Sequence, residues 1–495
     1  MAKTLNLLLA ASSLFTLPFA LQAEEPTPAQ PQAQEAPLTL EECVARALQK
    51  NFDIKIQGYN TQIANETLTI ARADYVPVFT ASAQKGKTSY YGVNSSSSST
   101  TESVGFSQKI STGATLSLAS GLAYEHSQSQ LLTPGSLNPA YVGNVTLSLS
   151  QPLLAGAGTT ANLAAIRRAK LGVGIASLAY KGSVLQVIDN VENAYYNLCF
   201  NFDQLGVKKH SLELAQALYN EAVSRRQVGV ATDLDVLQAK VGVEQARQGV
   251  ILAMQSLQDS QDGLFNLIGQ FEFTDVLRPV RFPTVSIDVP SFDAAYKLAR
   301  DNQPNLLASQ MTVKQYAIDA STARNARLPS LDLGASLGYN TREATASRAF
   351  NEIGSNGGYA WQVGVTFSMP WGLKAENARY RSALHTLDQS RTQLLQLEQN
   401  LMLQVRSAVR AVRANLDSVK VAATATQLSE QQYELERARF AAGLSTAQLV
   451  LQSQDNLEQT RMSELQAKVT LRIAVAALQQ LEGTSLDHFK VELSK

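Results

Sequence analysis

The sequence predicts a mixed fold, in which long coiled-coil α-helices are joined to β-strands of membrane-spanning length. Three observations predict it: an internal repeat, two long proline-free stretches, and short segments in which every second residue is apolar. The repeat indicates that one structural unit is used twice. The proline-free stretches and the alternating segments indicate what that unit contains.

The repeat aligns without gaps in two parts of the chain. Residues 40–79 align on 292–331, and residues 219–269 align on 433–483. A tandem repeat of this length predicts two copies of one fold within the chain.

The strand region of the first copy is longer than that of the second. Pro77 and Pro152 lie 75 positions apart, whereas Pro329 and Pro370 lie 41 apart. We expect the additional residues, near 104–140, to form an extra β-hairpin. If the strands form a barrel, the pattern leaves open whether this hairpin joins the barrel wall or caps the outer end of the barrel.

The N-terminus predicts export from the cytoplasm. Lys3, an apolar run over 5–21 and the small residue Ala23 are typical of a secretory signal peptide, assigned to residues 1–23. The alternative is a transmembrane helix, but Thr and Pro interrupt the run, and we expect no second apolar stretch of about 18 residues downstream. Residues 24–37 are rich in Pro, Gln and Glu and predict a disordered leader.

The composition argues against several classes of function. Basic and acidic residues both number 42, so no basic excess supports nucleic-acid binding. The four histidines show no metal-ligand spacing, and we expect neither a metal nor a cofactor. No phosphate-binding loop or catalytic constellation stands out, so we expect no enzyme. Cys43 and Cys199 either form a disulfide or remain two buried thiols.

Each proline-free stretch, about 157–227 and 373–442, predicts a helix roughly 100 Å long, at about 1.5 Å per residue. The first such helix ends at Gly229 and the second at Gly443. A return helix then begins after Thr232, or after Ser445 and Thr446, which are suited to N-caps. Each copy therefore predicts a long helical hairpin with a glycine at its tip.

Alternating apolar residues predict strands that face lipid. In 361–371 every odd position is apolar, and the chain's two tryptophans, Trp361 and Trp371, bracket that face. With Tyr339 and Tyr141 on neighbouring strands, they form a candidate aromatic belt at the membrane interfaces. An amphipathic strand of a soluble sandwich is the alternative.

The predicted units follow one another twice along the chain. After the leader they are a first helix (38–76), membrane strands with the extra hairpin (77–152), a long helical hairpin (153–275), a linker with a second first helix (276–328), membrane strands (329–372), a second long helical hairpin (373–483) and a tail (484–495).

A membrane sheet cannot keep open edges, because lipid leaves their backbone groups without hydrogen-bond partners. Two hairpins supply too few strands to close a wide barrel, so we expect several chains to share one. Their long helices, arranged in a ring, would continue that barrel as a tunnel.

The residues around the tips resemble a known family. Arg439, Phe440, Gly443, Thr446, Val450 and Leu451, with their counterparts around Gly229, resemble the outer membrane efflux protein (TolC) family. The duplicated order and the proline joints resemble it too, over roughly residues 38–483.

The resemblance implies a homotrimer in the outer membrane that extends into the periplasm. It implies one barrel with four strands from each subunit, bounded by outer-membrane lipid, and a helical tunnel. A periplasmic adaptor (membrane fusion) protein would dock at the tips, and an inner-membrane efflux pump or ABC transporter would supply energy. The implied function is the exit duct of a tripartite efflux or type I secretion system.

The resemblance also implies a gate at the tips. Asp235 matches the acidic gate residue of the family's first repeat, and Asp233 is a second candidate. Three such carboxylates per trimer would favour cations. The alternative is that both are first-turn carboxylates placed by the helix dipole. In the second repeat the family's polar lock is not carried over, since its positions hold Phe440, Ser445, Leu449 and Gln452.

A different class of function explains part of the same pattern. A trimeric coiled-coil surface or structural protein would need an export signal and long helices. It would need neither the duplication nor polar strand residues that face a lumen, and it would have no conducting pore.

Overall fold

The computed structural model describes residues 38–490, except 92–94, 129–136, 270, 272–279, 281, 283–288 and 356. The predicted signal peptide and leader lie outside the described residues. So do much of the linker and the end of the tail.

The described elements repeat the same order twice. The first copy comprises α1 (Leu40–Lys50), α2 (Phe52–Ala73), β1 (Val78–Tyr90), β2 (Ser95–Lys109), β3 (Thr115–Gln128), β4 (Ala140–Pro152), α3 (Thr159–Asn162), α4 (Ala164–Gln227) and α5 (Asp233–Leu267). The second comprises α6 (Phe292–Asn302), α7 (Pro304–Ala326), β5 (Ser330–Glu343), α8 (Ala346–Asn351), β6 (Gly358–Ser368), a 3-10 turn (Trp371–Leu373), α9 (Lys374–Ala441), α10 (Ala447–Glu482) and α11 (Ser485–His488).

The prediction of a single first helix in each copy is wrong, because each is divided into two. Asn51 ends α1 and caps α2, its Oδ1 accepting a hydrogen bond from the Asp53 amide at 2.8 Å. In the second copy Pro304 occupies the first turn of α7, where a missing N–H costs nothing. A proline disfavours helical geometry in the residue that precedes it, and this effect separates α6 from α7.

The ends of the helical hairpins pack on these breaks between the shorter helices. The Asn51 side-chain amide donates to the Leu267 carbonyl at 2.8 Å. Gly269, at φ +69°, lies so close to α1 that an added Cβ would be 2.6 Å from the Lys50 carbonyl. Gly483, at φ +71°, packs in the same way on Asn302. The repeated glycines therefore allow left-handed backbone and close approach at the base of each hairpin.

The strands form one six-stranded antiparallel sheet in the order β1 to β6. The extra hairpin therefore joins the sheet, which resolves the alternative left open by the sequence. Residues 95–99, which are all serine, lie in β2 and pair with β1, and residues 96–99 also pair with β3. The resemblance implies four strands per subunit. That expectation is wrong, because the described chain supplies six.

In the part of the sheet near the helices, register places apolar side chains on one face of all six strands. One row of directly paired residues is Phe79, Phe106, Leu118, Leu147, Leu337 and Trp361. Further from the helices the same face carries Lys85, Lys87 and Glu102. The opposite face carries small or polar residues, with one row formed by Thr80, Gly105, Ala119, Thr146, Gly338 and Ala360. Such alternation is typical of a membrane barrel with a polar interior.

The described helices pack in pairs around three apolar cores. The first core joins α1, α4 and α5, the second joins α6, α9 and α10, and the third, near the tips, joins α4, α9 and α10. Near the sheet α2 packs on α4 and α7 on α9, whereas towards the tips α4 packs on α5 and α9 on α10. Four helices therefore lie side by side at either level of one chain.

The described helices contain both cysteines and one long apolar stretch. Cys43 and Cys199 lie buried in the first core as thiols. The expectation that no apolar stretch of membrane-spanning length follows the N-terminus is wrong, because α4 contains one. That helix packs against α1, α2, α5, α7 and α10.

Two carboxylates of α4 are buried beside the first core. Glu192 is 3% exposed and Asp189 8% exposed, both on α4. Burial, with the nearby Asp189 as the second cause, raises the pKa of Glu192 to about 8. Burial also raises the pKa of Asp189. Both groups resist ionisation because their charged forms lose hydration.

We expect Glu192→Gln to flatten the pH dependence of thermal unfolding. A carboxyl whose folded-state pKa is raised contributes stability fully below its ordinary pKa of 4.5, and that stability is lost as pH rises towards 8. The unfolding midpoint of the parent protein should therefore fall across this window, at a cost of up to about 1.4 kcal/mol per pH unit. Glu66→Gln, which changes an exposed carboxylate, is the control. An equally steep fall in the Glu192 variant would contradict the assignment.

Candidate functional site at the helical tips

The two tips share one backbone turn. Gly229 has φ +76°, its amide donates to the Arg226 carbonyl at 2.9 Å, and the next amide donates to the Arg225 carbonyl at 2.9 Å. Gly443 has the same φ, its amide donates to the Phe440 carbonyl at 2.9 Å, and the next amide donates to the Arg439 carbonyl at 2.8 Å. Glycine at the left-handed position lets each long helix end and its partner return.

The side chains that cap the return helices differ between the tips. Thr232 and Asp235 form a reciprocal capping box on α5: the Asp235 amide donates to Thr232 Oγ1 at 3.2 Å, and the Thr232 amide donates to Asp235 Oδ2 at 2.9 Å. On α10 Thr446 is the N-cap but makes no side-chain cap bond. Leu449 occupies the position of Asp235 there and cannot reciprocate.

The candidate gate carboxylates both have local partners. Hydrogen bonds from the Thr232 hydroxyl and amide hold the pKa of Asp235 below its ordinary value. Asp233 Oδ1 lies 2.5 Å from Arg226 Nε, although its own side chain is 81% exposed. Asp235 therefore serves as a capping residue and also keeps a negative charge beside the tip.

Arg225 joins the two tips within one chain. Its Nη1 donates to the Phe440 carbonyl at 2.5 Å, and its guanidinium lies 4.5 Å from the centre of the Phe440 ring. Glu221, one turn earlier on α4, lies 3.6 Å from the same guanidinium. Phe440 is 5% exposed and packs with Leu218, Tyr433 and Val450. We call the Arg225–Phe440 contact the tip clasp.

Further polar contacts join α4 to α10 above the tip clasp. The Gln454 amide donates to the Ser211 carbonyl at 2.9 Å and to its hydroxyl at 3.2 Å. Lys208 forms an ion pair with Glu458. Together with the tip clasp these contacts hold the two helical hairpins against each other.

The remaining tip residues lie near the second turn. Ser445 Oγ donates to Glu436, which also pairs with Arg439 at 3.2 Å. The structure therefore brings Phe440 into contact with the first tip. It leaves Ser445 in a contact local to the second tip.

Sequence reasoning did not identify Arg225 as a functional residue. Arg439, which aligns with Arg225 in the repeat, belongs to the tip motif that resembles the family. The identity of these two residues was the signal in the sequence that could have pointed to Arg225. The difference lies in their surroundings. The Arg225 side chain is 17% exposed against Phe440, whereas that of Arg439 is 53% exposed.

The aromatic belt candidates lie at different heights. Tyr141 pairs with Tyr124 across the sheet, their ring centres 5.1 Å apart, and Tyr339 pairs with Tyr359 on the same apolar face. Trp361 lies one row nearer the helices, opposite Leu337. Trp371 lies beyond β6, exposed in the 3-10 turn that leads to α9.

Comparisons with known proteins agree with this architecture. A family model described as outer membrane efflux protein matches residues 115–270 and 295–484. The pyoverdine export outer membrane protein OpmQ of Pseudomonas putida is 25% identical over 303 residues, which cover 58% of this chain and 61% of that protein. The outer membrane protein TolC of Escherichia coli is 21% identical over 318 residues, which cover 63% and 64%. The chain thus spans less than two thirds of the length of these two relatives.

Solved structures share the fold across most of the chain. The outer-membrane channel OprN superposes with a TM-score of 0.68 at 17% identity, covering 90% of this chain and 89% of that one. The outer membrane channel CmeC of Campylobacter jejuni gives 0.67 at 17% identity and covers 98% of each chain. Both similarities are to the whole arrangement of helices and sheet.

We expect Thr232→Ala to loosen the first tip and Thr446→Ala to leave the second unchanged. Removing a capping side chain costs about 1 kcal/mol, so amide hydrogen exchange in the first turn of α5 should become roughly fivefold faster. Thr446 makes no such bond and provides the matched control. Equal effects of the two substitutions would contradict the assigned difference.

Proposed function

The chain belongs to the outer membrane efflux protein family, and we propose that it forms the exit duct of a tripartite efflux or type I secretion system. Its location is the outer membrane, from which it extends into the periplasm. In this proposal three copies close one barrel and one helical tunnel. An adaptor at the tips connects the tunnel to an inner-membrane pump, and the chain itself performs no catalysis.

The observation that carries the proposal is the union of a lipid-compatible sheet with very long helices. The sheet has one apolar face, and β1 and β6 each have one edge without a partner strand in the described chain. Such edges are not tolerated in lipid, so further strands must cover them. The helices of 64 and 68 residues extend roughly 100 Å from that sheet.

The surface of the tips supports the docking of a partner. Several apolar side chains there are exposed in the single chain, including Val228, Val230, Leu234, Leu237, Leu444 and Leu449. A patch of exposed apolar residues is typical of an interaction site. Packing between subunits and docking of an adaptor would both cover it.

The tip clasp replaces the polar lock that the sequence lacks. Tunnel opening requires the hairpins to move apart at the tips, and this motion would break the contact between Arg225 and Phe440. Hydrogen bonds to a charged group contribute about 1.5–3 kcal/mol, and a cation–π contact about 0.5–2 kcal/mol. These magnitudes are large enough to keep the resting duct closed.

We expect Arg225→Ala to raise the open fraction of the duct. A loss of about 1.4 kcal/mol in the closed state increases the open population tenfold. Single-channel recording in planar bilayers measures that fraction, and Arg439→Ala supplies the control because the repeat gives it the matching position without the clasp. An unchanged open fraction in the Arg225 variant would show that the gate is held elsewhere.

We expect the duct to conduct cations preferentially and Asp235→Asn to weaken that preference. The amide oxygen of Asn still accepts hydrogen bonds, so the charge is removed with less effect on the cap than Asp235→Ala would have. Reversal potentials under a salt gradient measure the selectivity. Unchanged selectivity would remove Asp235 from the gate. A protein that never conducts, even in the Arg225 variant, would favour the coiled-coil structural alternative over a duct.

We also expect selectivity to persist as the solution is acidified through the usual Asp range. Because the pKa of Asp235 is lowered, its charge is retained until the pH falls below the ordinary value near 3.8. Reversal potentials recorded between pH 6 and pH 3 test this. Loss of selectivity above the ordinary value would indicate a different titrating group.

A further inference from the structure

The sheet carries an inference that goes beyond the proposed function and rests on its trimer. We propose that the barrel contains eighteen strands, six from each subunit. The resemblance implies twelve strands, so the additional strands are β2 and β3 of each subunit. These two strands correspond to the longer first strand region.

The first step is that β2 and β3 belong to the membrane wall. The strands pair over nearly their full length with each other and with β1 and β4. Near the helices their side chains continue the apolar face: Phe106 and Leu118 lie in the row that ends at Trp361, and Val104 lies with Ser120 in the row of Val145 and Tyr339. Glu102 lies further from the helices on the same face, beside Leu122. A hairpin that capped the barrel would have no reason to present this face in register with the other strands.

The opposite face of β2 and β3 also suits a barrel wall. Between the strand ends it carries small residues, including Ser103, Gly105, Ser117, Ala119 and Gly121. Its charged residues, Lys109 and Glu125, lie at or near the ends of β2 and β3. The small residues suit a wall that lines an open lumen.

The third step is closure between subunits. Six is an even number, so β1 and β6 run in opposite directions. The free edge of β1 in one subunit can therefore pair antiparallel with the free edge of β6 in the next. Three copies of a six-stranded sheet close as an even-numbered antiparallel barrel, which is the form that membranes accept. The occupant of each edge is thus a second copy of this chain.

The fourth step is the width. Strands about 4.8 Å apart and tilted by about 40° give a backbone ring ~36 Å across for eighteen strands and ~24 Å for twelve. Four helices lie side by side in each chain, and twelve helices about 10 Å apart give a ring ~38 Å across. At this typical tilt an eighteen-stranded barrel is therefore about as wide as the ring of twelve helices.

Cysteine cross-linking tests the strand order. Ser82→Cys in β1 is combined in turn with Cys substitutions at the lumen-facing positions of β6, which are Gly358, Ala360, Gln362 and Gly364. The expected result is a covalent trimer for at least one pair after oxidation in outer membranes. The protein with only its native, buried Cys43 and Cys199 is the blank.

The matched series places Ala119→Cys of β3 against the same β6 positions. Cross-links from Ala119 and none from Ser82 would show that the barrel closes at β3 with twelve strands, and would overturn the inference. A trimer without cross-links from either strand would overturn it as well. Absence of any trimer would overturn the proposed duct itself, and the inference with it.

A second measurement does not depend on the register between subunits. Leu118→Arg puts a charge on the apolar face of β3, and Ala119→Arg puts it one residue later on the lumen face. If β3 crosses the membrane, Leu118→Arg should reduce the outer-membrane trimer several-fold, and Ala119→Arg should leave it nearly unchanged. Equal yields of the two variants would place β3 outside the membrane wall and overturn the inference.

Discussion

Backbone groups at the two free edges of the sheet are the constraint on which the rest of the structure depends. Inside lipid an N–H or C=O group without a partner costs several kcal/mol, so no isolated copy of this sheet can span a membrane. The long helices continue from the same sheet and are brought into a ring by whatever closes it. In the proposed trimer, association of the subunits would therefore close both the barrel and the tunnel.

Duplication gives the chain two equivalent hairpins, and small differences make them unequal. The glycine turns at both tips share their backbone geometry, and both hairpins end on a break between two shorter helices. The side chains then differ: Thr232 and Asp235 close a capping box at the first tip, and Leu449 prevents one at the second. A more firmly capped tip is thus held by Arg225 against a less firmly capped one. In the proposed duct, this asymmetry would give the gate a more stable and a less stable part.

Local signals in the sequence predicted the helical half of the structure well. Proline-free stretches, tip glycines and N-cap residues act within a few positions of one another, so the limits of α4, α5, α9 and α10 follow from the sequence closely. The prediction of the first helix in each copy was less accurate. Asn51 can extend or cap a helix, and its contact with Leu267 decides which, 216 positions away. Residues 95–99 are all serine, and only their pairing with β1 shows that they belong to a strand.

The sequence by itself determined the duplication, the helical hairpins, the tips and the alternation that suits lipid, because each of these depends on neighbours along the chain. Only the tertiary structure decided that the extra hairpin lies in the sheet, since strand pairing requires partners that sequence spacing does not identify. It also decided that Arg225 and not Arg439 joins the two tips. That contact links residues 215 positions apart, and it depends on which of two identical side chains the packing buries.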